Sequence, residues 1–306
     1  MDVLLLNIAT SLNAGTVLAI AALGLLLNEK AGIVNLGAEG MMLCAALAGF
    51  AAVVHTGSGL AGLGAGMLAG ALLAAVFGVL VIWLNTNQYA TGLALSLFGV
   101  GFAAFAGVRY TRENLAEKMV STPSVWSDVP VIGPAMARLD WMFWVGLALA
   151  AGLMWFLYRT RSGLVLRSVG ESPESAHALG YPVRWIRLGA VVVGGSLCGL
   201  AGAYLSTQYT PLWTEGMTAG RGWIALALTT FATWRPARVL LGAYLFGAMT
   251  VGQFYLQGRG VQISAEFLIM LPYLATVVVL VLISRNPMWI RTNMPASIGK
   301  PFHPSA

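Results

Sequence analysis

The stretch "GMMLCAALAGFAAVVHTGSGLAGLGAGMLAGALLAAVFGVLVIWLNTNQYATGLALSLFGVGFAAFAGV", Gly40–Val108, decides the fold class. It contains no Asp, Glu, Lys or Arg. Coiled as helix it would run roughly 100 Å, and a hydrocarbon core is about 30 Å thick, so it holds three crossings. Two turn signals divide it: "HTGSG" at His55–Gly59 and "NTNQ" at Asn85–Gln88.

The remainder agrees with this reading. The 306 residues are 58% hydrophobic and 9% charged, with mean hydropathy +0.79. A soluble domain carries about 25% charged residues, so a chain this apolar must have lipid as its main solvent. The 37 glycines suit close approach of membrane helices. Working outward, spans are expected near Leu6–Leu27, Leu36–Val54, Leu60–Leu84, Tyr89–Val108, Trp141–Tyr158, Ile186–Gln208, Gly222–Thr233, Val239–Leu256 and Phe267–Ser284. The expectation is an all-α, polytopic membrane protein of about nine helices (eight to ten), with Gly222–Thr233 short enough to be re-entrant. The N-terminal "MDVLLLNIAT" lacks a basic leader and a small-residue cleavage site, and reads as the start of a retained helix. Cys44 and Cys198 lie in apolar runs and read as small buried hydrophobes.

The net charge of +6 follows from loops, not from nucleic acid: no Lys/Arg run is interleaved with aromatics. With nine crossings, Lys30, Arg159, Arg161, Arg167, Arg184, Arg187, Arg235, Arg238, Arg285, Arg291 and Lys300 share one side. Fewer cations share the other side, so the first is cytoplasmic by the positive-inside rule. One membrane domain then spans residues 1–306, with an external loop at 109–140, a polar cytoplasmic segment at 159–187 and a cytoplasmic tail at 285–306.

Few ionisable or amide groups fall near spans. "LNEKAGIVNLGAEGMML", Leu27–Leu43, holds three of the charges. Glu29 and Lys30 read as a tight cytoplasmic turn, and Asn35 as a cap of the following helix. Glu39 reads two ways. It lines the solute path or a gate, or it is a structural acid bonded to backbone freed by Gly37 and Gly40. In "NTNQYATG", Asn87 and Thr91 share a helix face, and the Asn87 and Gln88 amides both donate and accept, as a nucleobase or sugar hydroxyl requires. The alternative is a polar interfacial turn. Ser96, Phe98 and Asn35 are further candidates for the solute path. Gln208 and Gln253 read as capping or interface groups near external ends, Arg221 as an interfacial anchor, and Trp83, Trp141, Trp144, Trp213 and Trp223 as interfacial belts.

Within the cytoplasmic segment, Ser172 is an N-cap, Pro173 fits the first helical position and Glu174 suits the helix dipole. Gly180 and Pro182 then stop the helix. A two-turn helix Pro173–Leu179 is expected, exposing Glu174, His177 and Ala178, and stabilised by docking.

Four stretches, in order, carry a resemblance: "NEKAGIVNLGAEGMML", "NQYATGLALSLFGVG", "RSVGESPESAHALGYPV" and "GMTAGRGWIALALTTFATWRP". They resemble the permease subunits of ABC importers in the ribose, nucleoside and branched-chain amino acid group, most of all the nucleoside-type, simple-sugar-like permeases. The resemblance implies alternating-access import of a small polar solute, nucleosides first, with simple sugars or another ring-containing solute such as a riboflavin-like molecule as alternatives. It implies a coupling helix at Glu171–Gly180, comprising Glu171, Ser172, Pro173, Glu174, His177, Ala178 and Gly180, and a solute path along Asn87, Gln88 and Thr91. It implies a multi-pass protein of the bacterial inner membrane. The partners implied are an ABC ATPase, a second homologous permease forming a heterodimer, and a periplasmic or lipid-anchored solute-binding protein. No Walker A pattern is present, so ATP and Mg belong to the ATPase, with no cofactor and no metal on this chain and no catalysis of its own. An ion-coupled secondary transporter would need more intramembrane ionisable groups than Glu39. A membrane enzyme would need clustered catalytic groups, and His55, His177 and His303 are scattered.

Overall fold

The computed structural model describes residues 2–115, 138–258 and 293–303, and the single positions 267, 270, 274, 277, 278 and 281. The described residues are almost wholly helical. In chain order they form α1 (Asp2–Lys30), α2 (Ala38–Thr56), α3 (Gly59–Ile82), α4 (Gln88–Gly107), α5 (Trp141–Arg159), α6 (Arg161–Glu171), α7 (Pro173–Ala178), α8 (Val183–Tyr204), α9 (Arg221–Phe231) and α10 (Pro236–Gly258). A 3₁₀ turn, Val108–Tyr110, extends α4, and a π turn, Leu205–Tyr209, extends α8. Among the described residues, seven helices are long and apolar enough to cross a membrane: α1 to α5, α8 and α10.

The expected turn chemistry sets the boundaries. Gly57 takes a left-handed φ of 67° to end α2, and the Ser58 hydroxyl accepts from Ala61 N–H to begin α3. Asn87 Oδ1 accepts from the N–H groups of Tyr89 and Ala90 and begins α4. α1 lies at the centre, packed by α10, α8, α9 and α5, and the most buried side chains of the bundle sit along it. The rim helices present apolar side chains outward. On α3, Leu68, Leu72, Val76 and Val79 recur at helical spacing and are exposed. Phe267, Met270, Leu274, Val277, Val278 and Val281 are likewise helical and exposed at that spacing. Such faces are stable only in hydrocarbon.

Three expectations change. Glu29 and Lys30 are not a turn: they are the last residues of α1 and both are buried, and the chain turns only at Ala31 and Gly32. The expected Gly222–Thr233 span is the 11-residue helix α9, about 16 Å long, half a hydrocarbon core. Trp213 is not in an interfacial belt but 2% exposed, its indole against Gly107. Most of the expected Phe267–Ser284 span, and "STPSVWSDVPVIGP" of the external loop, lie outside the described residues.

Candidate functional site

The chain between α1 and α2 is an extended connector buried inside the bundle. Its backbone polar groups must therefore find partners in the protein. Gln88 supplies one, its Oε1 accepting from Val34 N–H at 2.9 Å. The Ser96 hydroxyl supplies another, donating to the Leu36 carbonyl at 2.7 Å. Asn35 Oδ1 accepts from Gly37 N–H at 2.9 Å. Asn35, Gln88 and Ser96 are all buried; Gln88 and Ser96 tie this connector to α4, and Asn35 bonds within the connector. The two elements come close because Gly92 lies against Leu36, and Gly99 against Gly40.

The two acids of the Leu27–Leu43 stretch face a common element. Glu39 Oε1 accepts from the Thr218 hydroxyl at 2.6 Å and from Gly220 N–H at 2.9 Å, and its Oε2 accepts from Gly222 N–H at 2.7 Å. It thus serves the free backbone donors at the start of α9, where the helix dipole also favours a negative charge. Glu29 Oε1 accepts from the Thr229 hydroxyl at 2.8 Å, and its Oε2 from the Trp234 indole N–H. Thr229 belongs to α9, and Trp234 follows it with φ of 53°. A short helix is held at both ends by carboxylates from another part of the chain. The donors reaching Glu39 come from the segment 218–222, not from backbone near Gly37 and Gly40.

α4 divides its candidates by face. Asn87 is exposed and Thr91 half-buried, its hydroxyl donating to Thr86 Oγ1 at 2.8 Å. Phe98 is 56% exposed, and its ring stacks on Phe102 with centroids 5.9 Å apart and planes at 16°. Thr91, Phe98, Phe102 and Phe105 fall within about 60° of one another on an ideal helix, so they form one open stripe, and Asn87 precedes it as the helix cap. Gln208 is buried in the π turn, with neither side-chain amide atom paired among the described residues. Gln253 is buried also.

The polar segment lies at the same end of the fold as the α1–α2 connector, where Gly299 N–H donates to the Gly32 carbonyl. Ser172 caps α7, its hydroxyl accepting from Ser175 N–H, and Pro173 opens the helix. Glu174, His177, Ala178 and Gly180 are exposed, with Gly180 at φ 87°, while Pro173 and Ala176 turn inward. The sequence did not show α6, an amphipathic helix entered through Thr160, whose hydroxyl accepts from Gly163 N–H. Nor did it show what supports α7. Residues 293–303 form a strap beneath it. Ser297 donates its N–H and its hydroxyl to the Gly170 carbonyl, and Glu171 accepts from Ala296 N–H at 3.4 Å. Arg187, only 2% exposed, donates to Ser297 Oγ at 3.0 Å and to the Lys300 carbonyl. Lys30 Nζ donates to the Asn293 carbonyl at 2.7 Å. Phe302 packs with Val169, Ala176 and Val183, its ring edge-on to His177 at 5.6 Å. His303 is exposed.

A bundle of membrane-length helices with a buried broken connector, a half-length helix and a braced polar segment between two spans is a polytopic membrane transport protein. The chain belongs to the family described as branched-chain amino acid transport system / permease component, which it matches over residues 7–283. A Haloferax volcanii protein, provisionally named as a glucose ABC transporter permease, is 44% identical over 244 residues, 78% of this chain and 74% of that one. A nucleoside ABC transporter permease of Lactococcus lactis subsp. cremoris is 31% identical over 301 residues, 92% and 93% of the two chains. A guanosine ABC transporter permease of Bacillus subtilis is 29% identical over 280 residues, 86% and 87%. No solved structure matches significantly. This is an ABC importer permease subunit, a multi-pass protein of the inner membrane, and such a system works with an ATPase and a solute-binding protein. An ion-coupled secondary transporter is thereby set aside.

Proposed function

We propose that this permease imports nucleosides by alternating access, paired with a second, non-identical permease subunit. The observation that carries the substrate class is the open stripe on α4. Thr91 stands on the same face as the stacked rings of Phe98 and Phe102, and the cap residue Asn87 precedes that face. Amide and hydroxyl groups suit ribose hydroxyls and base edges, and an aromatic face suits a nucleobase. Facing a partner's equivalent helix, such a stripe would border a path. Two relatives aligned over most of their length are named for nucleosides. A second reading, simple sugars, is favoured by the name of the Haloferax volcanii relative.

In this reading the Arg-rich ends of α5 and α8 face the cytoplasm, and the segment 109–140 meets the solute-binding protein outside. ATP and Mg act on the partner ATPase, which receives α7 in a groove; this chain contributes no catalytic group. Glu39 stands in this scheme as a helix clamp that fixes α9 beside the path.

Uptake assays of the assembled importer test the substrate. Labelled guanosine, adenosine or uridine should accumulate and glucose should not. Phe98→Ala should raise the nucleoside KM about tenfold, the effect of losing one stacking surface. Accumulation of glucose with no nucleoside uptake would move the substrate to the sugar class.

A further inference from the structure

We infer that a trough between α5 and α8 holds one anionic phospholipid, its acyl chain along α1 and its phosphate at Arg161. Both helices pack on α1 but scarcely touch each other, so α1 forms the floor. The trough measures about 1020 Å³. Leu23 and Leu27 floor it, Leu153 and Phe156 stand on the α5 side, and Val193 and Leu197 on the α8 side. Two glycines widen it. Gly152 on α5 and Gly189 on α8 both line the trough, and a Cβ at either would meet no atom within 4 Å. Glycines on facing helices ordinarily let the backbones close together. Farther along α8, Gly195 and Gly199 do so against α3. This pair instead leaves open an apolar space that faces hydrocarbon, and an acyl chain is the molecule that hydrocarbon supplies.

One end of the trough is polar. α6 crosses it and contributes Arg161 and Ser162, and the turn into α8 contributes Tyr181 and Trp185. Trp185 is exposed, its ring edge-on to Trp83 at 5.2 Å. Amphipathic rings of this kind mark the head-group level of a bilayer. Arg161 is exposed and makes no hydrogen bond or ion pair among the described residues. A guanidinium presents a fork of donors that matches phosphate oxygens, and basic pockets between membrane helices take anionic head groups. The mouth supplies a donor for a phosphate and the rest of the lining is apolar, the two parts that a phospholipid requires. The bound lipid braces α6, the helix that leads into α7.

Native mass spectrometry of the assembled importer, extracted from bilayers of equal phosphatidylglycerol and phosphatidylcholine, reads the occupant. The wild type should retain one phosphatidylglycerol for each copy of this chain through detergent exchange. Gly189→Phe fills the trough from one wall and Gly152→Phe from the other; each should abolish retention of both lipids. Arg161→Gln, at an exposed position and safe for folding, should leave the trough filled but cut the preference for phosphatidylglycerol about fivefold. Equal retention in the filled variants, an unchanged preference in Arg161→Gln, or a cross-link placing a second permease in the trough would each overturn the assignment.

Discussion

Glu39 and Glu29 show what an acidic side chain needs in a membrane bundle. Burying a carboxylate without donors is prohibitive, and each of these acids has two or three of them. The recipient is α9, which at 11 residues is shorter than the ~12–15 at which an isolated helix becomes even marginal. Removing Glu39 orphans two backbone N–H groups and a hydroxyl. Glu39→Ala should therefore destabilise the protein by on the order of 3 kcal/mol, read as a lower unfolding midpoint of the detergent-purified importer. Glu39→Gln should lose less, because its remaining oxygen still accepts while its amide nitrogen opposes a donor. A variant that unfolds like wild type but has a raised solute KM would instead put Glu39 on the path. The importance of this acid was legible from its intrusion into an apolar run. Its partners were not, because they lie 179 to 183 positions away and the 218–222 segment carries no pattern that points back to it.

Among elements, α7 was legible to within one residue, because its start and stop are local: Ser172 and Pro173 at one end, Gly180 and Pro182 at the other. α6 was not, since a short charged helix between two spans looks like a loop when hydrophobicity is the guide. The strap was not legible either. Its bonds are to backbone carbonyls and to Arg187, and an Arg next to a span reads as one more cytoplasmic cation. These contacts make α7 a supported platform with an exposed outer face. Glu174→Arg reverses charge on that face and breaks none of the hydrogen bonds of the support. It should reduce solute-stimulated ATP hydrolysis and uptake severalfold while the protein stays at normal abundance in the membrane. Phe302→Ala acts from beneath, removing the ring that fills the space between Val169, Ala176 and Val183. A buried Phe→Ala change costs about 3 kcal/mol, and Phe302 is buried together with its three neighbours, so a loss of that size is expected. Hydrogen exchange across residues 172–183 should accelerate by more than tenfold, with exchange in α1 unchanged. Equal protection in the variant would show that the strap does not hold α7.

For the whole molecule, fold class came from the missing charges of Gly40–Val108, because water exclusion acts on composition over tens of residues. Which helix packs on which did not follow, because lipid is as apolar as leucine and the pattern of oily side chains does not mark an interior. Small residues mark it instead. Gly62, Gly66 and Gly70 recur at four-residue spacing on α3, and Gly195, Gly199 and Ala203 do so on α8. The backbones meet along this seam: a Cβ at Gly70 would lie 2.7 Å from the Gly199 Cα and closer still to the Gly195 carbonyl, and one at Gly199 would strike the Gly66 carbonyl. Backbone atoms of two long helices cannot step aside as a flexible side chain can. The same helix supplies its own control, since Gly64 is exposed and a Cβ there meets nothing within 4 Å. Both substitutions to leucine raise helix propensity equally, by roughly 1 kcal/mol over glycine, so propensity cancels from the comparison. Gly70→Leu should force α3 from α8 and cost several kcal/mol, leaving little monodisperse importer after extraction. Gly64→Leu should match wild type within about 0.5 kcal/mol beyond that propensity gain. Size-exclusion profiles of the two variants decide it, and a Gly70→Leu protein that elutes and transports as wild type would mean that the α3–α8 seam is not the central joint of the bundle.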